Sequence, residues 1–161
     1  MTYVIHGLSP DRFAPLFKLD NAALAVIHAR RVTATSDRGF PCRISLDDAQ
    51  AGEELILLHH ISHDVATPYR SAYAIYVRAG VDAARYRDEL PPVFAGRPLA
   101  LRAFDAAGML QTARLAGPGE VDAAIRDLFA DEAIAYIDAH NAAHGCFAAR
   151  IERDSAEGSV A

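Results

Sequence analysis

A chain of 161 residues, 52% hydrophobic and 23% charged, has enough apolar side chains to bury one core and is too short to bury two. Sixteen Lys and Arg stand against 21 Asp and Glu, a formal charge of −5, so the basic excess that nucleic acid or an anionic membrane surface selects is missing. Apolar runs such as residues 22–27 and 55–58 fall far short of the roughly 20 residues of a membrane span, and the first residues lack the charged start of a signal peptide, which makes the cytoplasm the expected compartment.

Residues 3–6 precede Ser9-Pro10-Asp11, which supplies an N-cap, a proline at the first helical position and an acid in the first turn; Phe13, Leu16 and Phe17 follow at helical spacing, so a short helix is predicted. Asp20 caps a second helix over residues 22–27, and residues 31–35 then alternate with β-branched side chains as a strand. Residues 42–46 place Cys42, Ile44 and Leu46 on one face and Arg43 and Ser45 on the other, the period of a half-buried strand. Residues 54–60 are apolar on both faces, which suits a central strand, and residues 73–78 form another. Residues 99–104 and 109–115 flank Asp105-Ala106-Ala107-Gly108, a loop closed by glycine and the clearest hairpin signal in the chain. Val121, Ala124, Ile125, Leu128 and Phe129 recur at helical spacing, with Glu120 and Asp122 near the positive end of the helix dipole.

In residues 133–153, propensity and pattern conflict. The alanines favour a helix, on which His140 and His144 would share one face at a metal-ligand spacing. In a hairpin with residues 141–145 as its loop, His140 opposes Cys146, and the pairs 139/147, 137/149 and 135/151 fall on one apolar face. A one-residue slip mixes the two faces, so the pattern favours the hairpin. The fold expected is α+β: one domain over residues 1–153 with a curved, largely antiparallel sheet of about seven to nine strands, two or three short helices on one side, a C-terminal β-hairpin and a flexible tail over 154–161.

Gly39-Phe40-Pro41-Cys42-Arg43-Ile44-Ser45-Leu46, Gly52-Glu53-Glu54, Thr67-Pro68-Tyr69-Arg70, His140-Asn141 and Gly145-Cys146-Phe147 together resemble a bacterial family of single-domain proteins of unknown function, DUF1203. The resemblance runs from about residue 3 to residue 153 and implies shared motifs at Cys42-Arg43, Tyr69-Arg70 and His140-Asn141-Cys146. It implies no activity. A bacterial origin also fits the basic residues, of which fifteen are Arg and only Lys18 is Lys, the habit of GC-rich coding.

Cys42 and Cys146 are too few for a secreted disulfide scaffold and default to free thiols. Cys146 is the candidate nucleophile with His140 as its base, because a thiol needs a neighbouring base or positive potential to ionise; a small buried hydrophobe beside a loop histidine is the plainer alternative. His59, His60 and His63 with Asp64 are the densest imidazole cluster, but neighbours on a strand point to opposite faces and no zinc motif is present, so neither a metal nor a cofactor is assigned. Arg43, Tyr69 and Arg70 are the candidate ligand contacts, since two guanidiniums converging on one cavity clamp a carboxylate or phosphate; ion pairs with the chain's own acids are the alternative, for Arg78 as well. Two function classes follow. One is a protein that binds or transforms a small anionic molecule at a polar sheet face, and the other is a non-catalytic binding module or homo-oligomeric assembly.

Overall fold

Segments that alternate or are wholly apolar become strands in the computed structural model, which describes residues 1–154. In chain order the elements are β1 (Tyr3–His6), α1 (Asn21–Val26), β2 (Arg30–Thr33), β3 (Pro41–Cys42), β4 (Asp47–Asp48), β5 (Glu54–His63), β6 (Ser71–Arg78), β7 (Arg85–Arg87), β8 (Leu99–Phe104), β9 (Leu110–Ala116), α2 (Val121–Phe129), β10 (Tyr136–Asn141) and β11 (Phe147–Arg153). Asp20 caps α1 as expected, its carboxylate accepting from the Ala23 N–H at 2.8 Å. The helix expected after Ser9 is instead two 3-10 segments, Pro10–Arg12 and Ala14–Lys18. Pro15 lacks the N–H that a continuous helix would need there. No helix among the described residues is long and apolar enough to cross a membrane.

The antiparallel α+β character holds, but the strands divide over two sheets. Six strands run in the order β7-β1-β11-β10-β8-β9 and five in the order β2-β5-β6-β3-β4. All pairs are antiparallel except β3 with β6, joined at Cys42 and Tyr76. The strand expected over residues 42–46 stops at Cys42, because the Leu46 N–H turns back to the Cys42 carbonyl at 3.0 Å and Leu46 takes a left-handed φ of 52°. Ile44 and Leu46 are buried as the alternation required, yet so is Arg43. A turn has replaced the strand and pointed the arginine inward.

Helix α2 lays its apolar stripe on one face of the six-stranded sheet, where Ile125 and Phe129 belong to one cluster with Leu101, Ile137 and Ile151. Ile56, Ile75 and Val77 of the other sheet bury against Phe13 and Leu24 from the N-terminal segments. The uncovered face of β8 and β10 meets β5 and β6 through rings: His63 stacks on Phe104 at 4.1 Å, and Tyr73 meets His140 edge-on at 4.8 Å.

The C-terminal hairpin is formed, with Gly145 at a φ of 75° closing its loop. Its register is shifted by two residues from the expected one: Ile137 pairs with Ile151, Asp138 with Arg150 and Ala139 with Ala149. A bulge at Ala148 then sets His140 opposite Phe147, not opposite Cys146, and Asn141 takes the place facing Cys146. A two-residue shift leaves every side chain on its expected face, so hydrophobic pattern cannot detect it. The Asp138–Arg150 ion pair, with contacts of 2.7 and 3.0 Å, favours the observed register. At the chain's end, Asp154 is held by its N–H to the Thr2 carbonyl and by an ion pair with Arg87; the rest of the expected tail, 155–161, lies outside the described residues.

Where the chain leaves β1, Gly7 donates to the Ala84 carbonyl at 2.8 Å and passes so close to the 43–46 turn that a Cβ would lie 1.8 Å from the Ile44 carbonyl oxygen. Only glycine fits this approach. Gly7→Ala is expected to lower stability by about 2 kcal/mol or more, the scale of overpacking against an atom that cannot yield. Urea denaturation checks this, with Gly52→Ala as the comparison, since Gly52 has a positive φ but nothing within 4 Å of an added Cβ.

Candidate functional site

Two loops, one from each sheet, build a groove. The first is the Gly39 to Arg43 segment leading into and out of β3; the second is the 141–146 loop of the β10–β11 hairpin. That loop is tied by Asn141 N–H to the Cys146 carbonyl at 2.9 Å, Gly145 N–H to the Asn141 carbonyl at 2.8 Å, and Ala142 N–H to the Pro98 carbonyl at 3.0 Å. Two cavities of about 270 and 290 Å³ lie between the loops and share Gly39, Pro41, Asn141 and His144 as walls. Arg43, Tyr76 and Cys146 line the first, and Arg97 the second.

Arg43 is 2% exposed, and its charge is held by carbonyls alone. Nε donates to Phe147 O at 2.5 Å and Nη1 to Pro41 O at 2.6 Å, and no carboxylate pairs with it among the described residues. Its remaining N–H groups have no protein acceptor there. Burial lowers its pKa to about 10, so it stays charged at neutral pH while that charge costs the fold on the order of 3 kcal/mol. Arg97, by contrast, is neutralised by Asp48, with contacts of 3.0 and 2.7 Å. The Asn141 Oδ1 is buried and accepts no hydrogen bond. The Cys146 thiol is partly exposed on the same groove, 3.9 Å from the His144 carbonyl oxygen to which it donates. Among the described residues the groove thus offers a guanidinium without a counter-ion, an unsatisfied amide oxygen and an accessible sulfur.

Comparison with known proteins matches residues 39–153 to a family described as Protein of unknown function (DUF1203). The chain belongs to this family. No curated protein and no solved structure matches it. Both loops of the groove lie within the DUF1203 span.

The five candidate residues do not converge. Arg43 and Cys146 share the groove and His140 lies behind it, whereas Tyr69 and Arg70 line neither cavity. The Tyr69 ring meets Phe104 edge-on at 6.3 Å, and Arg70 is exposed and paired with Asp64 at 2.8 Å. The cause is strand length. Arg43 follows the point where β3 joins β6 at Tyr76, while Arg70 precedes β6, and six residues of extended chain span about 20 Å.

His140 is 2% exposed, with Nδ1 against Gly145 O at 3.0 Å. A carbonyl only accepts, so Nδ1 carries the hydrogen. Burial lowers its pKa to about 4, and the Gly145 bond partly opposes this. No hydrogen bond joins it to Cys146 among the described residues. His140 therefore supports the loop rather than the sulfur. Of the other imidazoles, His60 packs between Phe13 and Phe147, while His63 reaches Tyr69 O and the Tyr136 hydroxyl. Among the described residues no three His, Cys, Asp or Glu side chains are grouped to hold a metal ion.

Asn141, His144 and Arg97 were not singled out in the sequence as members of this groove. Asn141 stood in the His140-Asn141 motif, and it comes opposite Cys146 only through the bulge that follows the shifted register. Arg97 carried no signal beyond its place between Gly96 and Pro98.

Two measurements check this arrangement. Cys42 is 0% exposed and its sulfur accepts from the Ile44 and Arg78 N–H groups, so a thiol reagent under native conditions should label Cys146 and leave Cys42 until the protein unfolds. The second concerns pH. Burial lowers His60 and His140 from 6.5 to about 4, so the unfolded chain takes up their protons first. Their contribution is fully present above pH 6.5 and is lost as pH falls towards 4, on the order of 3 kcal/mol for each. Denaturation midpoints measured across that window, with imidazole resonances of both residues that do not titrate above pH 5, are the expected result.

Proposed function

We propose that the groove binds a small anionic molecule, with Arg43 as its anchor and Cys146 beside the bound ligand. The observation that carries this reading is a guanidinium buried to 2% exposure that lines a cavity and has no carboxylate partner among the described residues. Buried cations are ordinarily paired. A carboxylate or phosphate entering the groove would accept from the uncommitted Arg43 N–H groups, and a ligand hydroxyl or amine would satisfy Asn141 Oδ1. The cavity volumes suit a metabolite-sized molecule rather than a polymer. Cys146 gives such a site a nucleophile within reach.

Thermal unfolding with inorganic phosphate, succinate and malate at constant ionic strength tests the proposal. An anion at a hundred times its dissociation constant stabilises by about 2.7 kcal/mol, which for a chain of this size raises Tm by several degrees. The same anion should slow Cys146 labelling. Arg43→Gln should abolish both effects. Because Arg43 also joins the sheets, Asn141→Asp is the second variant: it sets a carboxylate in the same wall and should block the anion while the circular dichroism stays unchanged. No stabilisation by any of the anions, or stabilisation that survives in Asn141→Asp, overturns the reading.

A further inference from the structure

A further cavity, of about 510 Å³, opens on the other side of Phe147, between the N-terminal 3-10 segments and the end of β5. One wall is apolar, made of Phe13, Leu16 and Leu58. The other carries His60 and Ser62. His60 is 5% exposed, packs against the Phe13 and Phe147 rings, and its side chain makes no hydrogen bond among the described residues. Ser62 is the extra residue of a bulge where β5 pairs Ile61 with Ala72 and then His63 with Ser71. Its hydroxyl is buried and unpartnered, while its carbonyl accepts from Arg150 Nη2 at 3.3 Å. Bulges of this kind re-aim a side chain beside a binding site. The Ser62 hydroxyl stays unsatisfied unless something enters to meet it, and the His60 ring beside it offers a second polar group without a protein partner among the described residues.

The charges around this wall decide what enters. Asp64 is already paired with Arg70, and Asp138 with Arg150. Arg12 lies over the Phe13 ring at 5.9 Å and has no carboxylate partner among the described residues, and Arg150 Nη1 makes no hydrogen bond. The uncompensated charge is therefore positive and sits beside an apolar wall.

We infer that this cleft is a second binding site, for a molecule that joins a carboxylate to an apolar body. The carboxylate meets Arg12 and the open side of Arg150, the body lies on Phe13, Leu16 and Leu58, and His60 and Ser62 hydrogen-bond the polar end. The site is independent of the groove, which Phe147 separates from it: the Phe147 ring packs on His60 at 6.3 Å and its carbonyl faces Arg43.

Octanoate is the probe, titrated into isotope-labelled full-length protein by NMR and followed by calorimetry, with octanol and inorganic phosphate as controls. Octanoate is expected to shift the His60 and Ser62 resonances and to bind about tenfold more tightly than either control, since each control lacks one half of the match. His60→Phe keeps the ring packing and should weaken octanoate about tenfold. Arg12→Gln, at an exposed position, should weaken it severalfold and serves where His60→Phe does not fold. Asn141→Asp should leave octanoate binding unchanged. Octanol binding as tightly as octanoate, no change at His60 and Ser62, equal binding to Arg12→Gln, or loss in Asn141→Asp would each overturn the inference; the first two mean a cavity filled by apolar packing or by water alone.

Discussion

Arg43 joins the two sheets with a charge that the described residues do not neutralise. Its backbone belongs to the five-stranded side, where its N–H donates to Tyr76 O at 3.0 Å, and its side chain reaches Phe147 O in the six-stranded sheet. Leu8 donates to its carbonyl at 2.8 Å, so the chain leaving β1 is tied to the same point that requires glycine at position 7. Hydrogen bonds from a charged donor are worth about 1.5–3 kcal/mol each. Two of them roughly offset a burial cost on the order of 3 kcal/mol, so Arg43 holds the sheets in register without adding much net stability. A carboxylate in the fold would have made the charge cheap and closed the site to outside anions. Its absence leaves the structure intact and the guanidinium available.

The contact between the sheets is polar and aromatic where most domains would place aliphatic side chains. Asp138 is buried and paired with Arg150, whose guanidinium lies 4.3 Å from the Tyr136 ring. His63 Nδ1 faces the Tyr69 carbonyl at 3.0 Å and must carry the hydrogen, so Nε2 accepts from the Tyr136 hydroxyl at 2.8 Å. Arg102 donates to the Tyr73 hydroxyl at 2.7 Å, and Tyr73 in turn supports His140. Each member has its partner, which is the condition under which a buried polar layer specifies one arrangement instead of destabilising it. The same layer pins Tyr69 by its carbonyl at the far end of β6, which is why Tyr69 and Arg70 serve the junction and not the groove.

What was legible in the sequence follows from what each signal measures. The hairpins at Gly108 and Gly145 and the stripe of α2 were visible because a positive φ and a period of 3.6 leave marks in single residues. The faces of β10 and β11 were visible for the same reason. Their register was not, since a shift of two residues moves no side chain to the other face, and the deciding features were one ion pair and one bulge. The pattern at Cys42, Ile44 and Leu46 correctly gave three buried positions and wrongly gave a strand, because a tight turn can bury the same residues. That error hid the feature that matters most. On a strand Arg43 would face away from Cys42; in the turn it points inward and bridges the sheets.

The groove and the cleft differ in where their walls come from, and this bears on how far each reading extends. Every residue that lines the groove falls within 39–153, the span matched to DUF1203. The cleft takes most of its apolar wall and its free cation from Arg12, Phe13 and Leu16, which lie before that span, and only Leu58 of that wall from within it. Phe147 stands between them, with its carbonyl committed to Arg43 and its ring to His60 and His140. The sheet junction that the groove requires is therefore built by the matched span, with Gly7 and Leu8, just after β1, securing it from outside. Anion binding at Arg43 is a chemistry to look for wherever the two loops recur. The carboxylate binding inferred for the cleft needs this chain's own N-terminal segment, so a relative that keeps the groove but lacks a cation at position 12 and apolar side chains at positions 13 and 16 would keep the first proposed site without the second.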